Sequence, residues 1–175
     1  MKPQRPARGL SMKQGFTAIE MLMAMVVIGF LAAYAFLSLN PYPGIKLEAA
    51  VKKVAGDLNY TRNLALIMTE WYGITFEADP NNTYTVYKTD GAIDATITDP
   101  SGGLFAVNIN QDFNGVIISG INIAGGKKLE FNPLGAPYID KNGAAVSAEA
   151  IITLSFQGAT KTIRITPNTG RIFTQ

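Results

Sequence analysis

Residues 15–39 read GFTAIEMLMAMVVIGFLAAYAFLSL, and the fold follows from how this stretch is understood. Between Phe16 and Leu39 lie 24 residues with a single charged side chain, Glu20. Wound as a helix at about 1.5 Å per residue, the run spans roughly 36 Å, enough to cross a hydrocarbon core of about 30 Å. Lys2, Arg5, Arg8 and Lys13 precede it with no acid among them. A basic flank of this kind favours an N-terminus held in the cytoplasm and a following domain outside. The bland alternative is an ordinary cleavable signal, for which Ala33-Tyr34-Ala35 supplies an Ala-x-Ala match. Against it, the apolar run exceeds the roughly 7–15 residues of a signal core, and it carries an acid.

Glu20 is the informative residue. A carboxylate inside an apolar segment must be neutralised or paired, because charge is costly to take out of water. A cut between Gly15 and Phe16 would create an α-amino cation four residues from Glu20. In a packed assembly, Glu20 of one subunit then meets the Phe16 amine of another, and assembly removes a cost that the isolated helix bears.

With its basic leader and long apolar helix, Gly15-Phe16-Thr17-Ala18-Ile19-Glu20 resembles the processing site of type IV prepilins and type II secretion pseudopilins. Ala18 stands where that family usually has leucine. The resemblance implies cleavage after Gly15 by a prepilin peptidase and methylation of the new amine on Phe16. It also implies that Glu20 supports assembly with other pilins or pseudopilins on an inner-membrane platform. The expected divisions are a leader over 1–15, a transmembrane assembly helix over 16–39, a kink and amphipathic helix over 40–72, and a β-rich periplasmic or extracellular domain over 73–175. Met12 is a second candidate start.

Pro41, Pro43 and Gly44 break the helical pattern, which resumes from Ile45. Val51, Val54, Ala55, Leu58, Ala65 and Met68 then fall at three- and four-residue intervals and predict one apolar face. Trp71, Tyr72 and Gly73 mark the expected exit. Beyond Gly73 the period changes to two. Strands are expected at 74–77, 83–87, 104–108, 116–119, 128–131, 151–156, 160–166 and 171–173, with loops over 90–103 and 133–149. Residues after Ile45 have enough apolar periodicity for a core of their own. The class is α+β: a long N-terminal helix, apolar and then amphipathic, packed against an antiparallel β-sheet or β-sandwich.

Three further segments narrow the resemblance to the GspH/FimT group of minor subunits. They are Thr61-Arg62 with Ala65, Phe131-Asn132-Pro133-Leu134-Gly135, and Ile163-Arg164-Ile165 with Gly170-Arg171-Ile172. Thr61 replaces that group's preferred alanine. The resemblance implies a minor pseudopilin near the tip of a type II secretion pseudopilus, helping to initiate assembly. The alternative is a minor type IV pilin for pilus biogenesis or DNA uptake. An exported enzyme or binding domain is a lesser reading.

Composition restricts the chemistry. The chain is 47% hydrophobic and 16% charged, so it can bury a core. Having neither cysteine nor histidine, it lacks disulfides, thiolate nucleophiles, the commonest general base and the commonest transition-metal ligand. No catalytic residue, metal site or cofactor is expected. The formal charge of +2 depends on the leader, which holds four of the 15 basic residues and none of the 13 acidic ones, so the remainder carries −2. A DNA contact, or one to a secreted substrate, therefore needs local support. Lys161, Arg164 and Arg171 are the nucleic-acid candidates, few beside the roughly 6–10 phosphate contacts of a strong duplex binder. Asp90, Asp94 and Asp99 do not have the spacing of a helix-flanked calcium loop. Gly125-Gly126-Lys127-Lys128 lacks the pattern of a phosphate-binding loop and reads as a turn with a basic flank.

Overall fold

The computed structural model describes residues 16–38 and 43–175. The leader with its Gly15–Phe16 bond, and the expected break at Asn40 and Pro41, lie outside the described residues. The chain divides into two compact units, one containing the first helix and the other running from Tyr42 to Gln175.

Helix α1 spans Ala18–Ser38. Its Ala18–Ala35 window has a mean hydropathy of 2.1, and no described side chain from Phe16 to Ala35 is buried within the molecule. An apolar helix with no dry face of its own requires lipid or neighbouring helices.

The second unit is built around helix α2, Pro43–Met68. It begins two residues earlier than expected, since proline suits the first helical turn, where its missing N–H has no intrahelical role. Leu47, Ala50, Val51, Val54, Leu58, Thr61 and Ala65 form its buried face, while Ala49, Lys52, Gly56, Asn59 and Asn63 face outward. Met68 does not extend that face: it is exposed at the last turn, and Thr69 follows with φ +57°. A left-handed residue there stops the helix, so Trp71, Tyr72 and Gly73 open strand β1 rather than ending the helix.

Strands β1 (Trp71–Glu77) and β2 (Thr83–Thr89) pair antiparallel from Trp71↔Thr89 to Glu77↔Thr83. Two short strands, β3 (Asp94–Thr96) and β4 (Ala106–Asn108), both pair with β2. A single helical turn, α3 (Ile109–Asp112), leads to β5 (Ile117–Asn122). Then come β6 (Lys128–Phe131), β7 (Pro137–Tyr138), β8 (Ala150–Phe156), β9 (Ala159–Ile165) and β10 (Ile172–Thr174). The first sheet has the order β3-β2-β1-β6-β7, with β4 also on β2, and the second has β10-β9-β8-β5. Every pairing is antiparallel.

Alternation decides which side chains enter the core. Ile74, Phe76, Tyr84, Val86, Leu129 and Phe131 of the first sheet, and Ile118, Ile152, Leu154, Ile163 and Ile165 of the second, join the apolar face of α2. The hairpin β8–β9 turns at Gln157-Gly158, both with positive φ as a two-residue turn of matching twist requires. The edge of β5 is closed off: Ile118 N–H donates to Asn82 Oδ1 at 2.8 Å, and its carbonyl accepts from Asp79 N–H at 3.2 Å. Strands β3 and β7 lie where only loops were expected, β4 is shorter than the strand expected over 104–108, helix α3 occupies a stretch assigned no element, and β5 runs on past a bulge between Ile118 and Gly120.

Candidate processing and assembly site

The start of α1 is fixed by a reciprocal pair of bonds. Thr17 N–H and Thr17 Oγ1 both donate to Glu20 Oε2 at 2.8 Å, and Glu20 N–H donates back to Thr17 Oγ1 at 3.3 Å. This is a capping box, in which the residue before the helix and the third residue within it satisfy one another's otherwise orphaned groups. The Thr-x-x-Glu spacing was visible in the sequence as a helix-start signature, although only the glutamate had been singled out. Phe16 immediately precedes the box and is 85% exposed. Among the described residues, Glu20 Oε1 accepts no hydrogen bond. The carboxylate is thus held at the helix entrance by one oxygen. The structure places Phe16 and Glu20 on the same exposed helix start, while Gly15 lies outside the described residues.

In the second unit, the three segments of the narrower resemblance meet at one point. Arg62 Nε donates to Gly135 O at 3.1 Å. Gly170, at φ +62°, rests on that same carbonyl, and a Cβ there would also come within 3.1 Å of Arg62 Nε and 3.2 Å of the Phe131 ring. Gly135 itself has φ +75° and lies under Leu66. Both glycines therefore meet two demands, a left-handed backbone and close approach. In the sequence Arg62 stood out only as part of the narrower resemblance; its observed work is to tie α2 to the 132–136 turn, against which Gly170 packs.

The basic candidates do not form a continuous cationic surface. Lys161 pairs with Glu48 of α2, Arg164 Nη1 donates to Glu149 at 2.8 Å, and Arg171 is exposed with no acidic partner among the described residues. The Lys161 ammonium holds the Glu48 carboxyl below the usual carboxylate range. Lys127 and Lys128 of the basic turn pair with Glu77 and Asp94. Asp90 accepts from the amides of Ala92 and Ile93, and Asp99 from Ser101, so the acids of that loop serve its own turns. No cluster of three or more metal-ligating side chains occurs among the described residues.

Sequence reasoning missed the polar group beneath α2. Tyr84 O–H donates to Asp57 Oδ2 at 2.5 Å, and Lys53 Nζ lies 2.7 Å from the same oxygen. Burial, followed by the Asp57 charge and hydrogen bond, pushes the Tyr84 phenol far above its ordinary range. The group is a structural anchor between helix and sheet.

No family model matches the chain. It is 30% identical over 135 residues to the type IV major fimbrial protein FimA of Dichelobacter nodosus, covering 71% of this chain and 82% of that protein. Its fold is similar to the type IV minor pilin FimU of Pseudomonas aeruginosa, with a TM-score of 0.53 and 16% identity over 77% of this chain and 92% of the other. It is also similar to the minor pseudopilin EpsH of the Vibrio cholerae type 2 secretion system, with a TM-score of 0.55 and 8% identity over 74% and 96% of the two chains.

Proposed function

We propose that this chain, which belongs to the type IV pilin and pseudopilin family, is a minor subunit that initiates assembly near the tip of a type II secretion pseudopilus. The observation that carries the reading is α1 itself: an apolar helix without a buried face, begun by an exposed Phe16 and a boxed Glu20. A helix of this kind anchors the protein in a bilayer and packs among its neighbours' helices once it leaves.

In this reading the leader stays cytoplasmic, a prepilin peptidase of the inner membrane cuts after Gly15, and residues from Phe16 onward are the mature subunit. Hydrolysis frees the Phe16 α-amine, which methylation leaves cationic. Glu20 of one subunit, already oriented through Oε2, then offers Oε1 to the Phe16 amine of another. Pairing relieves two charges that lipid would otherwise surround. The assembly platform and the other pilin-like subunits are the partners. The meeting of Arg62, Gly135 and Gly170 supports placement among minor subunits, because it unites the segments that resemble the GspH/FimT group.

A minor type IV pilin is the second reading, favoured by the fimbrial relative at 30% identity. DNA uptake has the least support, since two of its three candidate cations are paired with carboxylates.

The test has two parts. Mass analysis of the purified mature protein should find an N-methylated Phe16 terminus; a terminus at Phe36 would sink the anchored reading. Glu20→Gln should leave processing intact while abolishing co-purification with other pilin-like subunits. Full co-purification of processed Glu20→Gln protein would remove the pairing as a requirement.

A further inference from the structure

We propose that residues 139–146 form a proton-gated strap over the outer face of the first sheet, closed when the Glu130 carboxyl carries a proton and released when it ionises. Glu130 points away from the core that its neighbours Leu129 and Phe131 enter, yet it is 1% exposed. Its cover is the chain after β7. Lys141 N–H donates to Glu130 Oε2 at 2.6 Å, and Tyr87 O–H donates to Oε1 at 2.8 Å. Gly73 of β1 lies beneath this pair, where a Cβ would fall 2.5 Å from the Tyr87 ring and 2.8 Å from Glu130 Cγ. The strap turns back through Ile139 N–H to Ala144 O and Val146 N–H to Pro137 O. Asn142 Nδ2 clasps it to Gly91 O at 2.7 Å, joining it to the loop before β3.

Every element around Glu130 bears on its charge. Tyr87 comes from β2, Asp94 from β3, Lys128 from β6, and Asp140 and Lys141 from the strap; Tyr138 of β7 lies across the ladder. From β1 there are only Gly73 and Thr75. Asp94 is engaged by Lys128, and Asp140 accepts from Asn142 N–H. Burial raises the Glu130 carboxyl above its ordinary range, the two donated bonds oppose that, and Asp140 and Asp94 add to it.

The protonated form fits the same frame. The carboxyl O–H donates to Tyr87 Oη, reversing the bond that Oε1 otherwise accepts, and the other oxygen keeps the Lys141 amide. The ionised form instead loses hydration that two hydrogen bonds do not fully replace. The closed state therefore binds the proton more tightly than a hydrated, open one. Linkage then fixes the direction: acidification favours closure, and rising pH favours release. Release uncovers Tyr87 and the carboxylate, the buried pair on a sheet face where Thr75, Thr85 and Lys128 are half-buried.

Trp71, the sole tryptophan, reports the strap through Tyr138 of β7, which it meets edge-on at 5.0 Å between ring centroids and which bridges Ala145 of the strap. The experiment measures Trp71 emission and acrylamide quenching in the full chain in detergent from about pH 4, just below the ordinary glutamate value of about 4.3, up to about pH 8. The wild type should show one titration with stronger quenching at the alkaline end. Glu130→Gln, whose amide donates to Tyr87 and whose carbonyl accepts from Lys141, should stay at the acid-end value throughout. Asn142→Ala removes only the clasp and should move the midpoint to lower pH, since the open state gains population. A flat wild-type profile, an unchanged transition in Glu130→Gln, or an unmoved midpoint in Asn142→Ala would each overturn the proposal. Should Glu130→Gln fail to fold, the Asn142→Ala midpoint decides alone.

Discussion

Replacing Tyr84 by phenylalanine removes one hydroxyl from a buried site and leaves the ring in place between α2 and the first sheet. The lost bond is the 2.5 Å donation to Asp57, whose carboxylate keeps Lys53 at 2.7 Å. Because Lys53 still compensates Asp57, the carboxylate is not stranded, and the loss is that of one charge-assisted hydrogen bond. Such bonds contribute about 1.5–3 kcal/mol net. For a domain of this size about 1 kcal/mol moves Tm by roughly 3–4 °C, so the expected fall is about 5–12 °C. Urea unfolding of residues 43–175, followed by Trp71 emission at fixed pH, measures the change directly. Asp57→Ala should cost at least as much, since it leaves the Tyr84 hydroxyl buried without an acceptor. The double variant should cost less than the sum of the two. A Tyr84→Phe loss below about 0.5 kcal/mol, or additive single variants, would refute the reasoning that this bond joins helix to sheet.

The same unfolding assay tests two glycines with opposite signs. Gly170→Ala places a Cβ against Gly135 O at a φ of +62°, so it should destabilise the domain by more than about 1 kcal/mol, from left-handed strain and collision together. Gly56→Ala meets nothing within 4 Å on the outward face of α2 and should stabilise the domain by about 0.5–1 kcal/mol. A Gly56 variant that gains stability yet fails to co-purify with partner subunits would show that the outward face needs the bare backbone.

The elements legible in the sequence were those with long, regular patterns. The 24-residue apolar run, the three- and four-residue spacing after Ile45 and the alternating runs at 151–156 and 160–166 each carry a local signal stronger than the competing ones. What was missed depends on the packing around a segment rather than on its own pattern. Strand β3 has three exposed residues, Asp94-Ala95-Thr96, and exists because β2 offers an edge. Strand β7 begins with a proline and is held by Glu130 and Phe131. Asp57 is no part of the apolar spacing of α2, but its neighbour across 27 residues is a buried tyrosine, so it faces inward. Glu130 was placed within a strand correctly, whereas its burial comes from a strap in a segment expected to be only a loop.

Glu20 shows how a site can be half readable. Its identity and its distance from Phe16 were plain, and they led to a partner on another subunit. The box with Thr17 was equally available from the spacing, but it answers a different need, the unsatisfied N–H groups at the start of a helix. In the proposed assembly the two roles do not compete, because the box uses Oε2 and the amine needs only one carboxylate oxygen. The box even favours the pairing. A glutamate without it would sample several rotamers and lose that freedom on meeting a neighbour, while a carboxylate already fixed by Thr17 loses less. On this argument Thr17 acts through Glu20: it orients the acid before the partner amine exists, and cleavage then supplies the cation.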